Sequence, residues 1–278
     1  VGIIDPDNPT TLGGGGAERS SMGVFARANY AYKDRYLVNA SIRRDGISRL
    51  SPQNRWGTFG SLGLGWVISE ENFFKDIKGI DFLKLRGAWG VTGNAQGISD
   101  FIFLPGLNTS GAGVFGDIIY PSVSPAYLPD PNLRWERVRG LDLGFDLKAL
   151  NNKLSAEVVY YDRKTIDIIT SITLPGSTGV SSYRTNAGSI TNKGLEVALG
   201  WTDNITKDLK YSISPNFSYN KNKVVSIGDN IDFLLTGNGG VNRTVSGESV
   251  GHFFGYRQIG IYQTVSQITN SPTMVNAL

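Results

Sequence analysis

Met22-Gly-Val-Phe-Ala-Arg-Ala-Asn-Tyr-Ala-Tyr-Lys-Asp-Arg-Tyr-Leu-Val-Asn-Ala-Ser-Ile-Arg43 decides the fold. Met22, Val24, Ala26, Ala28, Tyr30 and Tyr32 are apolar or aromatic, with Arg27 and Asn29 between them, so the period is two and the segment is a strand. After a short turn at Lys33-Asp-Arg35 the alternation resumes, with Tyr36, Val38, Ala40 and Ile42 on one face and Asn39, Ser41 and Arg43 on the other. Two such runs joined by so few residues form an antiparallel hairpin.

The same pattern extends outward along the chain. Beyond a polar loop at 44–55, Trp56, Thr58, Leu62, Leu64 and Trp66 alternate with a face that is small apart from Phe59: Gly57, Ser61, Gly63 and Gly65. Such a face suits a strand crowded by something packed against it, or a sharply bent sheet. Ser69-Glu-Glu-Asn-Phe-Phe reads as a capped helical turn. Leu83, Leu85, Trp89 and Val91 then oppose Lys84, Arg86 and Thr92. Later strands carry Leu141, Leu143, Phe145 and Leu147 against Asp142 and Asp146, then Leu154 to Tyr160, Leu195 to Trp201 and Leu209 to Tyr219.

Between them, 93–132, about 166–186 and 220–250 read as long loops, the first punctuated by Pro105, Pro121, Pro125, Pro129 and Pro131. Residues 1–21, with Gly13 to Gly16, also read as a loop, because such a run has few side chains to pack. About eight strands therefore follow one another with short and long connections in alternation, as in a transmembrane barrel whose two ends face different compartments. Aromatics near strand ends, among them Tyr30, Tyr36, Trp56, Trp66, Trp89, Trp201 and Tyr211, are expected to sit at the membrane interfaces. Residues 22–278 are expected to form part of such a barrel. The fold class expected is all-β, an antiparallel transmembrane β-barrel.

Composition limits the function classes. The 278 residues include no Cys and one His, which excludes thiol chemistry and leaves little for a metal site. Charge is +3, from 27 basic and 24 acidic residues spread along the chain, so no nucleic-acid partner is indicated. No stretch approaches the ~18 apolar residues of a spanning helix, and Val1-Gly-Ile-Ile-Asp5 lacks the features of a signal peptide. Neither absence speaks against a barrel, whose apolar band occupies alternate residues.

Chemical motifs are weak. Gly247-Glu-Ser-Val-Gly251 matches a nucleophile elbow, but it lacks the flanking strand and helix, and His252 follows too closely to serve Ser249 through an intervening acid. Glu136, Asp142, Asp146 and Glu157 could supply a carboxylate pair, yet three of them fall on the polar face of strands, where charge is ordinary. Neither Asp5-Pro-Asp7 nor Asp229-Asn-Ile-Asp232 has the glycine and terminal glutamate of a calcium loop, and no Lys-Ser/Thr follows the Gly13 run. No catalytic residue, metal or cofactor is expected. Recognition remains: Phe101, Phe103, Phe115, Tyr120, Tyr127 and Tyr183 in the long loops could stack on sugar rings or pack on peptides, and could equally pack loop against loop.

Several ordered words resemble the SusC/RagA family of TonB-linked outer-membrane proteins. They are Phe25 to Leu37 with Arg43-Arg-Asp-Gly46, Asn54-Arg-Trp-Gly57, Gly65-Trp-Val-Ile-Ser-Glu-Glu71 and Phe82 to Asn94. Leu133-Arg-Trp-Glu136, Leu174-Pro-Gly-Ser-Thr-Gly179, Asn186 to Glu196 and Gly255-Tyr with Gly260-Ile-Tyr-Gln263 continue the order. The resemblance implies an internal fragment of a barrel of roughly 22 strands; no plug domain, TonB box or terminal barrel strand is recognisable. It implies import of oligosaccharides or oligopeptides, a SusD-like surface lipoprotein as partner, energy from TonB-ExbB-ExbD through a plug, and an outer-membrane location in contact with lipid. The rival readings are a siderophore or cobalamin receptor, against which the words at 82–94 and 186–196 argue, and a non-transport adhesion or carbohydrate-binding domain.

Overall fold

The computed structural model describes residues 18–271 apart from 101, 117, 181, 229–233, 237–239, 256 and 259. One nine-stranded antiparallel sheet dominates, in the order β1 (Ser21–Tyr32), β2 (Tyr36–Ile47), β3 (Trp56–Val67), β4 (Ile80–Asn94), β7 (Glu136–Ala149), β8 (Leu154–Ile166), β11 (Ser189–Asn204) and β12 (Lys210–Ile213), with β13 (Asn216–Ser226) also on β11. Among the described residues the sheet does not close on itself. Each long strand expected from the alternation is present. The run from Leu209 to Tyr219 is divided into β12 and β13 at Ser214 and Pro215, because proline has no N–H to give the ladder. The Pro215 carbonyl still accepts from Leu199 N at 3.0 Å.

The turns between β1 and β2, β7 and β8, and β11 and β12 are short and lie at one end, together with the segment joining β3 to β4. Lys33 and Asp34 adopt left-handed conformations, as do Leu150, Asn151 and Asn152, which lets the tight reversals form. The 3₁₀ turn between β3 and β4 spans Ile68–Glu70 and has no side-chain cap, so Ser69 lies inside it rather than capping it. Its buried hydroxyl makes no hydrogen bond.

At the opposite end lie the long segments, which are more regular than their sequence suggests. The stretch 93–132 contains a hairpin, β5 (Leu107–Phe115) with β6 (Ile118–Pro125), and 166–186 contains β9 (Ile169–Thr173) paired with β10 (Ser182–Asn186). Beyond β13, the short strands β14 (Leu234–Thr236), β15 (Asn242–Thr244) and β16 (His252–Phe253) form a small sheet. A five-residue helix, α1 (Val265–Thr269), follows. Residues 1–17 lie outside the described residues, and β1 begins at Ser21.

Register fixes which side chains share a face. One row runs Tyr32, Tyr36, Trp66, Leu85, Phe145, Val158, Val197 and Phe217 across adjacent strands. Tyr32 closes β1 beside a short turn, whereas Phe217 is well removed from the turn after β11, so rows run obliquely, as tilted barrel strands require. For the same reason Trp89 lies within β4, with Leu62 and Leu141 as partners, rather than at a strand end. Large apolar groups on this face stand open, Leu64 at 55% and Phe217 at 61% exposed, which in a soluble protein would be an oversized apolar patch.

At the short-turn end, polar atoms of the aromatics have partners. Tyr36 donates from its hydroxyl to Glu71 Oε1 at 2.6 Å, Trp66 Nε1 donates to the same oxygen at 3.1 Å, and Arg35 lies 3.2 Å from Oε2. The hydrogen bonds from Tyr36 and Trp66 hold the Glu71 carboxyl below the usual carboxylate range. Trp201 Nε1 donates to the Tyr211 hydroxyl at 3.0 Å.

The assigned facing has a direct test. In the intact protein reconstituted in bilayers, Leu85→Arg should lower the unfolding free energy by ~2–4 kcal/mol, the cost of a cation near the midplane, while Ser212→Arg on the other face should leave it within ~1 kcal/mol. Denaturant titration of the two variants compares them, and equal sensitivity would overturn the facing.

Candidate functional site

The polar face of the sheet is a continuous field of charge and hydrogen bonds. Arg86 bridges two strands, donating to Asp146 Oδ1 at 3.0 Å and to Glu157; Lys84 lies 3.7 Å from Asp146, and Arg163 lies 3.2 Å from Asp142. Asn39 donates to Asn29, and the Ser41 and Ser61 hydroxyls are 2.7 Å apart. Asp142, Asp146 and Glu157 are each engaged by a guanidinium or ammonium group and serve as ion-pair partners. A groove of about 420 Å³ runs past Asn39, Gly63, Gly65, Lys84 and Arg86. Its floor is low because Gly63 and Gly65 bring no side chains to it.

Phe59, the large exception on this face, is buried at 8% exposure and meets Trp135 edge-on at 5.5 Å. A Cβ at Gly57 or Gly93 would fall within 2.4 Å of the Phe59 ring, so both glycines are required by its close approach.

Above this field the long segments pack into a crown with its own core. Ile47, Leu50, Ala95, Ile98 and Leu133 form it, with Ile102, Trp135 and Ile169 against them; Leu50 and Leu133 are fully enclosed. Around the core, Ser51 Oγ donates to the Pro131 carbonyl at 2.8 Å, Arg49 to the Ile98 carbonyl at 3.1 Å and Trp135 Nε1 to the Arg55 carbonyl at 3.2 Å. Asn186 is the central tie: its side chain accepts from Arg134 N at 2.7 Å and donates to the carbonyls of Arg134 at 2.9 Å and Asp167 at 2.7 Å. Glu136 accepts from Ile169 N and from Asn94, each at 2.8 Å. Asp167 receives Arg134 at 2.7 Å and Arg137 at 2.5 Å. Burial acts to raise the Asp167 pKa, but the hydrogen bonds and charges of the two arginines outweigh it and leave the carboxyl below its ordinary value.

A two-faced antiparallel sheet with short turns at one end and a packed crown at the other is the anatomy of an outer-membrane barrel wall, and the family pattern described as TonB dependent receptor-like, beta-barrel matches residues 1–259. The chain belongs to that family. It lies in the outer membrane, with the apolar face toward lipid and the polar face toward the barrel lumen. "TonB-dependent receptor P39" of Formosa agariphila is 35% identical over 260 residues, covering 92% of this chain and 24% of the relative. "TonB-dependent receptor SusC" of Bacteroides thetaiotaomicron is 35% identical over 259 residues, covering 90% and 26%. The chain thus spans about a quarter of the length of these curated relatives. Among solved structures, the RagAB peptide importer in its closed-closed state superposes with a TM-score of 0.74 at 27% identity, over 84% of this chain and 25% of that one.

Of the loop aromatics expected to meet substrate, the structure describes the side chains of Phe103, Tyr127 and Tyr183. The Tyr127 hydroxyl donates to the Leu104 carbonyl at 2.9 Å and its ring lies over Gly106, where a Cβ would come within 2.5 Å. Tyr183 is half-buried in β10, opposite Ile172 and bridged to Leu128, and Phe103 is half-buried. Phe101 and the side chains of Phe115 and Tyr120 lie outside the described residues. Ser249 and His252 make no nucleophile and base pair, since the imidazole meets the Ser249 carbonyl at 3.3 Å and the hydroxyl points to the Asn222 carbonyl at 3.5 Å.

Asp167 was invisible to sequence reading, although it sits at φ 58° just after β8. Asparagine tolerates that left-handed backbone, so Asp167→Asn removes the charge alone. Its expected effect is a loss of about 1–3 kcal/mol from crown opening, read as faster amide exchange over 130–137 and 166–188 with the strand amides of β1 to β4 unchanged. Because the folded pKa lies below the ordinary 3.8, the wild-type stabilisation is complete above 3.8 and declines as pH falls through the lower folded value. Crown exchange corrected for intrinsic rate should therefore be flat from neutrality to mild acid and accelerate only below that point; acceleration already at pH 5 would contradict the assignment.

Proposed function

We propose that the protein imports nutrient oligomers, glycans or peptides, across the outer membrane, as the SusC-like barrel of a SusCD-type complex. The carrying observation is the polar lumen face lying directly beneath the packed crown, in a chain whose 35%-identical relatives include a receptor named SusC. In this reading a SusD-like surface lipoprotein caps the barrel over the crown, and TonB-ExbB-ExbD supplies energy through a plug lying against the lumen face. The small residues Gly63 and Gly65 leave room there for a packed domain. Phe101, Phe103, Phe115, Tyr120, Tyr127 and Tyr183 are the aromatic candidates for contacting the oligomer. Tyr30, Tyr36, Trp56, Trp66, Trp89, Trp201 and Tyr211 are assigned to the outer surface and its interfaces, where amphipathic rings are favoured.

Deleting the gene should abolish growth on the cognate oligosaccharide or oligopeptide while sparing growth on the free monosaccharide or amino acids, and inactivating TonB should give the same loss. Affinity purification of the intact protein from detergent-extracted membranes should bring a surface lipoprotein with it. Loss of chelated-iron or cobalamin uptake alone would replace this reading with the siderophore-type one, and recovery without detergent would end the transport reading.

A further inference from the structure

On the lipid side of β7, β8, β11 and β13, the register sorts residues into sharply different rows. Leu143, Tyr160, Leu195 and Tyr219 form one row, continuous with the apolar band beneath it. The next row toward the crown is Leu141, Asp162, Lys193 and Lys221, and the one after it is Arg139, Lys164, Thr191 and Lys223. Within two residues the surface changes from apolar and aromatic to cationic. Five basic side chains face one acid, Asp162, whose carboxylate is engaged by Lys193 at 2.7 Å.

The arrangement opposes its own sheet. Arg139 and Lys164 are direct cross-strand partners, as are Lys193 and Lys221, and like charges placed opposite each other destabilise a sheet. Arg139, Lys164, Lys221 and Lys223 are exposed and form no ion pair with any described residue. Glu248, beside β13, contributes only backbone contacts to Val224, and Asp167 is taken by Arg134 and Arg137. On the lumen face Arg86 and Arg163 are ion-paired with acids, whereas here five cations from adjoining strands crowd around a single acid.

We propose that this patch, Arg139, Lys164, Lys193, Lys221 and Lys223, docks the phosphorylated head group of an outer-leaflet lipid whose acyl chains lie on the apolar rows below. Charge complementarity selects a phosphate, and continuity with Leu143, Leu195 and Tyr219 selects a lipid rather than a soluble anion, because only a lipid engages both surfaces at once. Such a lipid relieves the two like-charge pairs and holds four neighbouring strands on the side where the sheet carries its crown.

The test uses the intact protein in mild detergent, with phosphorylated lipid A and its phosphatase-treated form as probes and native mass spectrometry as the readout. The wild type should retain the phosphorylated lipid more strongly. Arg139→Gln/Lys164→Gln and Lys221→Gln/Lys223→Gln should each lower that retention, by about fivefold per charge removed, with no change for the dephosphorylated form. Lys207→Gln, at the short-turn end, should change neither. Heat-modifiable migration confirms that each variant is a folded barrel, and the two double variants are read separately, so failure of one to fold leaves the other decisive. Equal retention by variants and wild type, indifference to dephosphorylation, or displacement of the lipid by an equal concentration of inorganic phosphate would each overturn the proposal.

Discussion

Hydrocarbon offers no hydrogen bonds, so every N–H and C=O that enters it must find a partner on a neighbouring strand. That requirement fixes the long antiparallel ladder from β1 to β13, and the ladder fixes everything lateral to it. A one-residue slip would exchange the two faces, placing Arg86, Asp146 and Glu157 in lipid and Leu85, Phe145 and Val158 in the lumen. Single pairings therefore run unbroken over most of each strand, with register shifts only near ends, as at Ile80 and Ser189. The proline that interrupts the ladder, Pro215, lies between β12 and β13, and its carbonyl remains paired.

Because lateral order rests on period two, that part of the fold was legible in the sequence. The hairpin at Met22 to Arg43, the tight reversal after Ala149 and the lumen position of Asp142 and Asp146 all follow from alternation and turn chemistry. The hairpins β5–β6 and β9–β10 do not. The segment Asn108-Thr-Ser-Gly-Ala-Gly113 has almost no apolar side chains to alternate, β6 contains Pro121 and ends at Pro125, and the strands flanking 174–181 are only five residues long. Their pairing is set by tertiary context rather than by any local period.

The crown was legible in a different way. Its core residues Leu50, Ile98 and Leu133 are isolated apolar positions in polar loops, meeting only in three dimensions. Yet the words by which the family can be recognised are the ones that tie the crown together. Asn54-Arg-Trp-Gly57 supplies the Arg55 carbonyl and the glycine under Phe59; Leu133-Arg-Trp-Glu136 supplies a core residue, the Asp167 partner, the ring over Phe59 and the acceptor for Ile169; Asn186 binds two carbonyls. Residues whose side chains each satisfy several backbone groups tolerate few replacements, since every lost bond leaves a buried polar atom unpaired. Recognition through these words and physical necessity in the crown thus have one cause. Asp167 lacked such a signal, because a lone aspartate after a strand is indistinguishable in sequence from turn chemistry.

Charge is distributed by surface, and this distribution links the three regions. On the lumen face Arg86 pairs across strands with Asp146 and Glu157, and Arg163 with Asp142. Crown charges pair between segments far apart in the chain, Arg134 and Arg137 with Asp167, and so lock loops to strands. At the short-turn end, Glu71 gathers Arg35, Tyr36 and Trp66. Among the outward-facing cations of β7, β8, β11 and β13, Arg139 lies opposite Lys164 and Lys193 opposite Lys221, with Asp162 as the acid beside them. Opposed cations weaken the strands that carry them, and the medium they touch, the outer leaflet, is where the proposed phosphate offsets that cost.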